Sequence, residues 1–105
     1  MKTMHLIGAQ LNRWVARTQG CEETASGYVF ARPVAGRREY VRADWRPSEL
    51  WSQGGPIIEQ EGIGVFYDGN GWHAESTGGA YDGDSLLVAA MRAYVAAEFG
   101  EDVED

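Results

Sequence analysis

The chain has 105 residues, a net charge of −7 and one cysteine, so it is long enough for one domain and cannot form an internal disulfide. It contains no apolar run near the ~20 residues that a membrane-spanning helix needs. Its first residues lack the apolar segment of a secretion signal, and we therefore expect a cytoplasmic protein.

The two halves of the chain differ in charge. Residues 1–52 carry eight basic and five acidic side chains, whereas residues 53–105 carry one basic and eleven acidic side chains. We expect the two halves to neutralise each other in the fold. Because an acidic protein is repelled by nucleic acid, this balance disfavours simple DNA binding.

The first predicted element is an amphipathic helix over residues 9–19. Leu11, Trp14 and Val15 recur at helical spacing, and Gly20 supplies the stop. The segments that follow are a polar loop and two β-prone runs, the first of them ended by Pro33: residues 21–26, 28–32 and 39–42.

The middle of the chain predicts two short helices. Ser48 or Asp44 is a candidate cap for the first helix, which residues 54–56 (Gly-Gly-Pro) are expected to end. Pro56 then opens a second short helix, which closes at Gly62.

The strongest hairpin signal in the chain lies at residues 63–76. Two β-prone segments, 63–67 and 72–76, flank the sequence Asp-Gly-Asn-Gly, whose residues tolerate turn conformations. The turn centres either on Gly69-Asn70 or on Asn70-Gly71. A shift of one residue exchanges the faces of the second strand, so the register stays open.

The last predicted element is a long helix from near Ser85 to Phe99, with Gly100 as its terminator. Residues 77–83, which precede it, are predicted to form a flexible loop. Because the helix is apolar around most of its circumference, either the sheet and the first helix both cover it, or a second subunit does. The acidic residues 101–105 are predicted to form a frayed tail.

These elements predict one compact α+β domain over residues 1–100. It consists of an N-terminal helix, an antiparallel sheet of about four short strands that includes the hairpin at residues 63–76, and a long C-terminal helix packed on the sheet.

Several segments resemble the NinX-type family of small phage and prophage proteins. The resemblance rests mainly on Trp51-Ser52-Gln53-Gly54-Gly55-Pro56-Ile57-Ile58-Glu59, on Trp72-His73-Ala74, and on Leu87-Val88-Ala89-Ala90-Met91-Arg92. Leu11, Trp14, Val15, Ala16 and Gly20 in the first helix agree with it. This family has no established biochemical activity. The resemblance therefore implies a phage or prophage origin and a location in the host cytoplasm, and it supplies no catalytic residues.

The sequence predicts no catalytic, cofactor-binding or metal-binding residues. His73 could serve as a base for Cys21 or Ser76, but nothing in their spacing selects them, and a strand position explains His73 adequately. His5, Cys21 and His73 lack the spacing of metal ligands, and the glycine-rich segments lack the residues of a phosphate-binding loop. We therefore expect a protein that is not an enzyme and needs no cofactor.

The predicted activity is binding to a host or phage protein, with a homodimer as a further option. Aromatic and Arg side chains favour interfaces, and the candidate interaction surface comprises Trp51, Trp45, Arg37, Arg38, Arg42 and Arg46. One alternative is nucleic-acid binding through the segment Arg32–Arg46. Another is DNA mimicry by the acidic C-terminal half, including Asp82, Asp84 and residues 101–105.

Overall fold

The computed structural model describes residues 1–23, 30–34, 37–41 and 45–104, and for residues 22–23, 30–34 and 37–41 it describes the backbone alone. A 3-10 helix at Thr3–His5 precedes α1 (Gly8–Thr18), β1 (Glu22–Glu23), β2 (Phe30–Val34), β3 (Arg37–Val41), α2 (Trp51–Glu61), β4 (Gly64–Tyr67), β5 (Trp72–Ser76), β6 (Gly79–Gly83) and α3 (Leu86–Phe99). None of the helices in these segments is long and apolar enough to cross a membrane.

The α+β class and both terminal helices are confirmed. Helix α1 lies within one residue of its predicted bounds, and α3 ends at Phe99 with Gly100 as its C-cap. The Ser85 side chain accepts a hydrogen bond of 3.1 Å from the backbone N–H of Val88, which caps the start of α3 as the sequence predicts.

The prediction of one sheet with about four strands is wrong. The strands form two three-stranded antiparallel sheets, with the orders β1-β2-β3 and β4-β5-β6, and the sheet that packs on α3 has three strands. The predicted loop at residues 77–83 contains β6, which pairs with β5 from Trp72↔Gly83 to Ser76↔Gly79. Its glycines indicated a flexible loop, but this strand lies where close packing on α3 requires glycine.

The predicted hairpin is confirmed and its register is now defined. Tyr67 pairs with Trp72, and the backbone N–H of Asp68 donates to Gly71, so the turn centres on Gly69-Asn70. Gly69 has a φ of 96°, which its lack of a Cβ permits. The Asp68 carboxylate accepts the backbone N–H groups of Asn70 and Gly71 and stabilises the turn.

In the first sheet, the two predicted β-prone runs, residues 28–32 and 39–42, correspond to the paired strands β2 and β3. Strand β2 continues through Pro33 instead of ending there, and Val34 pairs with Arg37. Strand β1, which was predicted as loop, pairs only with Phe30 and Ala31. Pro33 therefore lies opposite no residue of β1, so its missing N–H removes no hydrogen bond to that strand. This explains why a proline is tolerated in β2.

The predicted break of α2 at Gly54-Gly55-Pro56 is wrong. One helix runs from Trp51 to Glu61 with Pro56 inside it, and it ends at Gly62 as predicted. An interior proline costs roughly 3 kcal/mol. Burial of Ile57 contributes ~1.5–3 kcal/mol and thus offsets most of that cost. Tertiary packing therefore overrides the local preference for a break.

Helix α3 is the centre of the hydrophobic core. It contacts β4, β5 and β6 as well as α1 and α2, so the first of the two predicted covers, the sheet together with the first helix, is the observed one. Its alanines permit very close approach. A Cβ on Gly83 would lie 2.5 Å from the backbone N of Ala89, and one on Gly78 would lie equally close to the backbone of Ala96.

The chain termini lie together, in contrast to the predicted frayed tail. The backbone of Val103 exchanges two hydrogen bonds of 2.9 Å with Met1, and the Val103 side chain is buried. The Lys2 ammonium lies 3.1 Å from the Asp102 carboxylate. Burial of Val103 thus holds the acidic segment against the N-terminus.

We expect Gly78→Ala to destabilise the fold by roughly 1–3 kcal/mol, because its Cβ would overlap backbone atoms of α3 that cannot rotate away. Urea unfolding measures this difference. Gly64→Ala is the matched control, since its Cβ would have no neighbour closer than 4.0 Å. Equal losses in both variants would contradict the close packing of the sheet on α3.

Candidate functional site

Three helices begin at one surface of the molecule. The starts of α1, α2 and α3 border a cleft of about 470 Å³. We call this cleft the Trp51 groove, and its principal lining residues are Ile7, Glu49, Trp51, Ser85, Leu86 and Val88. The groove therefore combines apolar side chains from three separate segments of the chain.

Trp51 is the most exposed large apolar side chain on the described surface, at 59% of its maximum, and Ile7 on the same groove is 55% exposed. The indole of Trp51 passes over Gly55, one helical turn further along. A Cβ on Gly55 would lie 2.9 Å from Trp51 Cε3. The glycine thus makes room for the indole at the start of α2.

Buried contacts fix the segment that presents Trp51. The Asn12 side-chain oxygen on α1 accepts both the backbone N–H of Ser48, at 3.0 Å, and its hydroxyl, at 2.6 Å. Gly54 lies so close to Pro47 and Leu87 that a Cβ there would clash with both. Ser48, one of the two predicted caps, therefore joins this segment to α1 and does not cap α2. The other, Asp44, lies outside the described residues.

The predicted interaction residues lie in different environments. Trp51 lies on the groove, and Arg46 is exposed with its guanidinium 3.7 Å from the Glu49 carboxylate. Trp45 is partly buried beside Ala16 and Cys21, and its Nε1 has no hydrogen-bond partner among the described residues.

The remaining predicted residues belong to the Arg32–Arg46 segment. Arg37 and Arg38 lie on β3, where the backbone alone is described, and Arg42 lies outside the described residues. Ile7 was not among the predicted interaction residues, because no periodic pattern distinguishes a single apolar residue before a helix. Only the fold brings Ile7 to Trp51.

His73, the candidate catalytic base, lies in a second cluster. Its Nε2 is 2.5 Å from the Asp68 carboxylate, and its Nδ1 is 2.5 Å from the Asp82 carboxylate. The Phe66 ring stacks on the imidazole, with 5.0 Å between centroids. Hydrogen bonds to Asp68 and then to Asp82 raise the pKa of His73 above its ordinary value of 6.5.

The predicted nucleophiles do not join this cluster. The Ser76 hydroxyl donates to the Ala93 carbonyl on α3, and Cys21 is buried in a separate cluster with Ala16. Within the described part of the chain, no group of three or more His, Cys, Asp or Glu side chains has the arrangement of a metal site. The described groups in contact with the His73 ring are the Asp68 and Asp82 carboxylates and the Phe66 ring.

We expect the 68–71 turn to lose order only in strong acid. Two backbone N–H groups, donated by Asn70 and Gly71, lower the pKa of Asp68 to about 2. A carboxyl whose pKa is lower in the folded state stabilises the fold above its unfolded pKa, and this contribution is lost as the pH falls towards 2. The amide resonances of Asn70 and Gly71 should therefore shift with a midpoint near pH 2.

Asp68→Asn serves as the control, because it removes the titrating group and should abolish that transition. A midpoint close to pH 4 in the unmodified chain would contradict the assignment of these hydrogen bonds.

No curated protein matches the chain. A protein-family model described as Bacteriophage P22, NinX matches residues 2–98, which include the groove, the His73 cluster and all of α3 except Phe99. Because the match spans most of its length, the chain belongs to the NinX family of phage proteins.

Proposed function

We propose that this phage protein is not an enzyme and acts in the host cytoplasm by binding a host or phage protein through the Trp51 groove. One observation carries the proposal: Trp51 and Ile7, both more than half exposed, share a cleft whose walls are fixed by buried contacts. Exposed aromatic side chains on a rigid frame are typical of interface hot spots.

The free energy available from covering the exposed side chains of the groove supports a role in binding. Covering an apolar side chain contributes ~1.5–3 kcal/mol, so Trp51 and Ile7 together can supply a large part of a micromolar affinity. The Gly55 that accommodates the indole lies in a helix, where glycine costs ~0.5–1 kcal/mol relative to alanine. Gly55 thus lowers the local stability of α2 while it makes room for the Trp51 indole.

The groove also indicates what kind of segment fits it. Ile7 and Leu50, which precede α1 and α2, provide no side-chain cap for those helices. Backbone N–H groups at these helix starts therefore favour hydrogen-bond acceptors. The partner segment we propose is apolar, with one large side chain beside Trp51 and carbonyl or carboxylate groups at the groove rim.

The alternative activities receive less support. Two of the carboxylates that a DNA mimic would present are already engaged, Asp82 with His73 and Asp102 with Lys2. In the Arg32–Arg46 segment, the described Arg46 side chain lies 3.7 Å from Glu49. Helix α3 is covered by its own chain, which removes the need for a second subunit at that face.

The test is capture of a partner from nuclease-treated host lysate, with and without phage proteins, by the intact chain and by two variants. Trp51→Ala should reduce recovery of the partner roughly thirtyfold, because a hot-spot residue contributes ~2 kcal/mol or more. Tyr67→Ala is the matched control, since Tyr67 is 56% exposed but lies on β4, away from the groove. Its recovery should match that of the intact chain.

Both variants replace exposed side chains, and urea unfolding should show that each is folded. Equal capture by the intact chain and Trp51→Ala would refute the groove as the binding surface. A parallel capture from untreated lysate tests the alternative, because a partner recovered there but lost after nuclease treatment would instead support nucleic-acid binding through the Arg32–Arg46 segment.

A further inference from the structure

The imidazole of His73 is held from both sides. It lies on β5, the middle strand of its sheet, between the Asp68 carboxylate in the β4–β5 turn and the Asp82 carboxylate on β6. Each ring nitrogen is 2.5 Å from a carboxylate oxygen. One side chain thus connects three successive parts of the sheet.

Proton counting determines the charge of this arrangement. A neutral imidazole has a single N–H and can donate to one acceptor, and an ionised carboxylate can only accept. Asp68 stays ionised over the physiological range because its other oxygen accepts two backbone N–H groups. Both bonds to His73 therefore exist together only when the ring carries two protons.

We propose that Asp68, His73 and Asp82 form a proton-operated clamp, closed while His73 is doubly protonated and opened on the Asp82 side when the ring loses one proton. This device does not depend on the Trp51 groove. Its closed form joins β6 to β5 and to the turn. Its open form leaves β6 attached to β5 by the backbone ladder alone at this end.

The opening has a defined side. The Asp68 carboxylate is fixed by the amides of Asn70 and Gly71, whereas the Asp82 side chain is 80% exposed. Water can replace the bond to Asp82 at little cost, since the group is already largely solvated. A neutral His73 therefore keeps its remaining proton on Nε2, towards Asp68, and releases Asp82.

Most of the charges that border this site are negative. The ionisable side chains come from the turn, the end of β6 and α3: Asp68, Asp82, Asp84 and Arg92. Glu75 lies two residues further along β5. The two carboxylates in contact with the ring, Asp68 and Asp82, favour its cationic form. The Arg92 guanidinium opposes it, but it is directed to the backbone carbonyls of Asp82 and Leu6, at 2.7 and 2.8 Å.

The sign of the pH dependence follows from the geometry and from the raised pKa of His73. A histidine whose pKa is higher in the folded state stabilises that state fully below its unfolded pKa of 6.5. This contribution is lost as the pH rises through the higher folded value. The clamp is thus closed in mild acid and opens as the pH rises through the raised pKa of His73.

The experiment is side-chain nitrogen NMR of His73 from about pH 5.5 to about pH 9. In the intact chain, both ring nitrogens should be protonated at the acid end of this range and the midpoint should lie above 6.5, and the backbone amides of Asp82 and Gly83 should shift with the same midpoint as the ring. Asp82→Asn should move that midpoint to lower pH, because it removes one of the two charges. Asp84 borders the site without contacting the ring, so Asp84→Asn should leave the transition of the Asp82 and Gly83 amides in place.

A His73 midpoint at or below 6.5 in the intact chain would overturn the proposal, and so would an unchanged midpoint in Asp82→Asn. The first result is read from the intact chain and does not depend on the folding of any variant. Above the midpoint the ring keeps one proton. If that proton lies on Nδ1 instead of Nε2, opening at Asp82 is contradicted.

Discussion

The close approach of α3 to its sheet is the constraint on which the rest of the structure depends. At Gly78 and Gly83 the sheet lies so near the backbone of α3 that a single added carbon would clash. Only a helix with small side chains can approach a sheet this closely, and α3 has Ala89 and Ala96 at these positions. The contact fixes the sheet relative to the helix at two places, so neither tilts freely against the other.

Both candidate sites derive their geometry from this helix. The start of α3 forms one wall of the Trp51 groove, and Leu87 there packs against Gly54 of α2. One turn further along, Arg92 holds the backbone carbonyl of Asp82 and so fixes the strand that carries one side of the His73 cluster. Sites supported by regular elements in this way are more rigid than sites on loops. The Trp51 groove and the His73 cluster therefore share the N-terminal half of α3 as their support.

The sequence predicted those parts of the fold in which local signals and tertiary packing agree. Helix α3 has a Ser cap, an apolar interior and a terminal Gly, and the hairpin has a turn sequence suited to positive φ, so both were predicted within a residue or two. Strand β6 was missed because Gly79 and Gly83 at its ends resemble loop composition when read locally. Gly83 in fact serves close packing on α3, and Gly79 adopts a φ of 112°. The pairing of His73 with two carboxylates depends on strand register, which the sequence left open.

The segment that begins at Trp51 shows the same conflict most clearly. Two glycines and a proline in succession favour a break, yet the chain is helical there. Gly54 is needed for contact with Pro47 and Leu87, and Gly55 is needed for the indole of Trp51. The first glycine serves the core, whereas the second serves a side chain that remains exposed. A residue that lowers local helix stability to position an exposed aromatic ring gains nothing for the isolated fold. The binding function proposed for the Trp51 groove would supply a compensating gain, because a partner would then cover that ring.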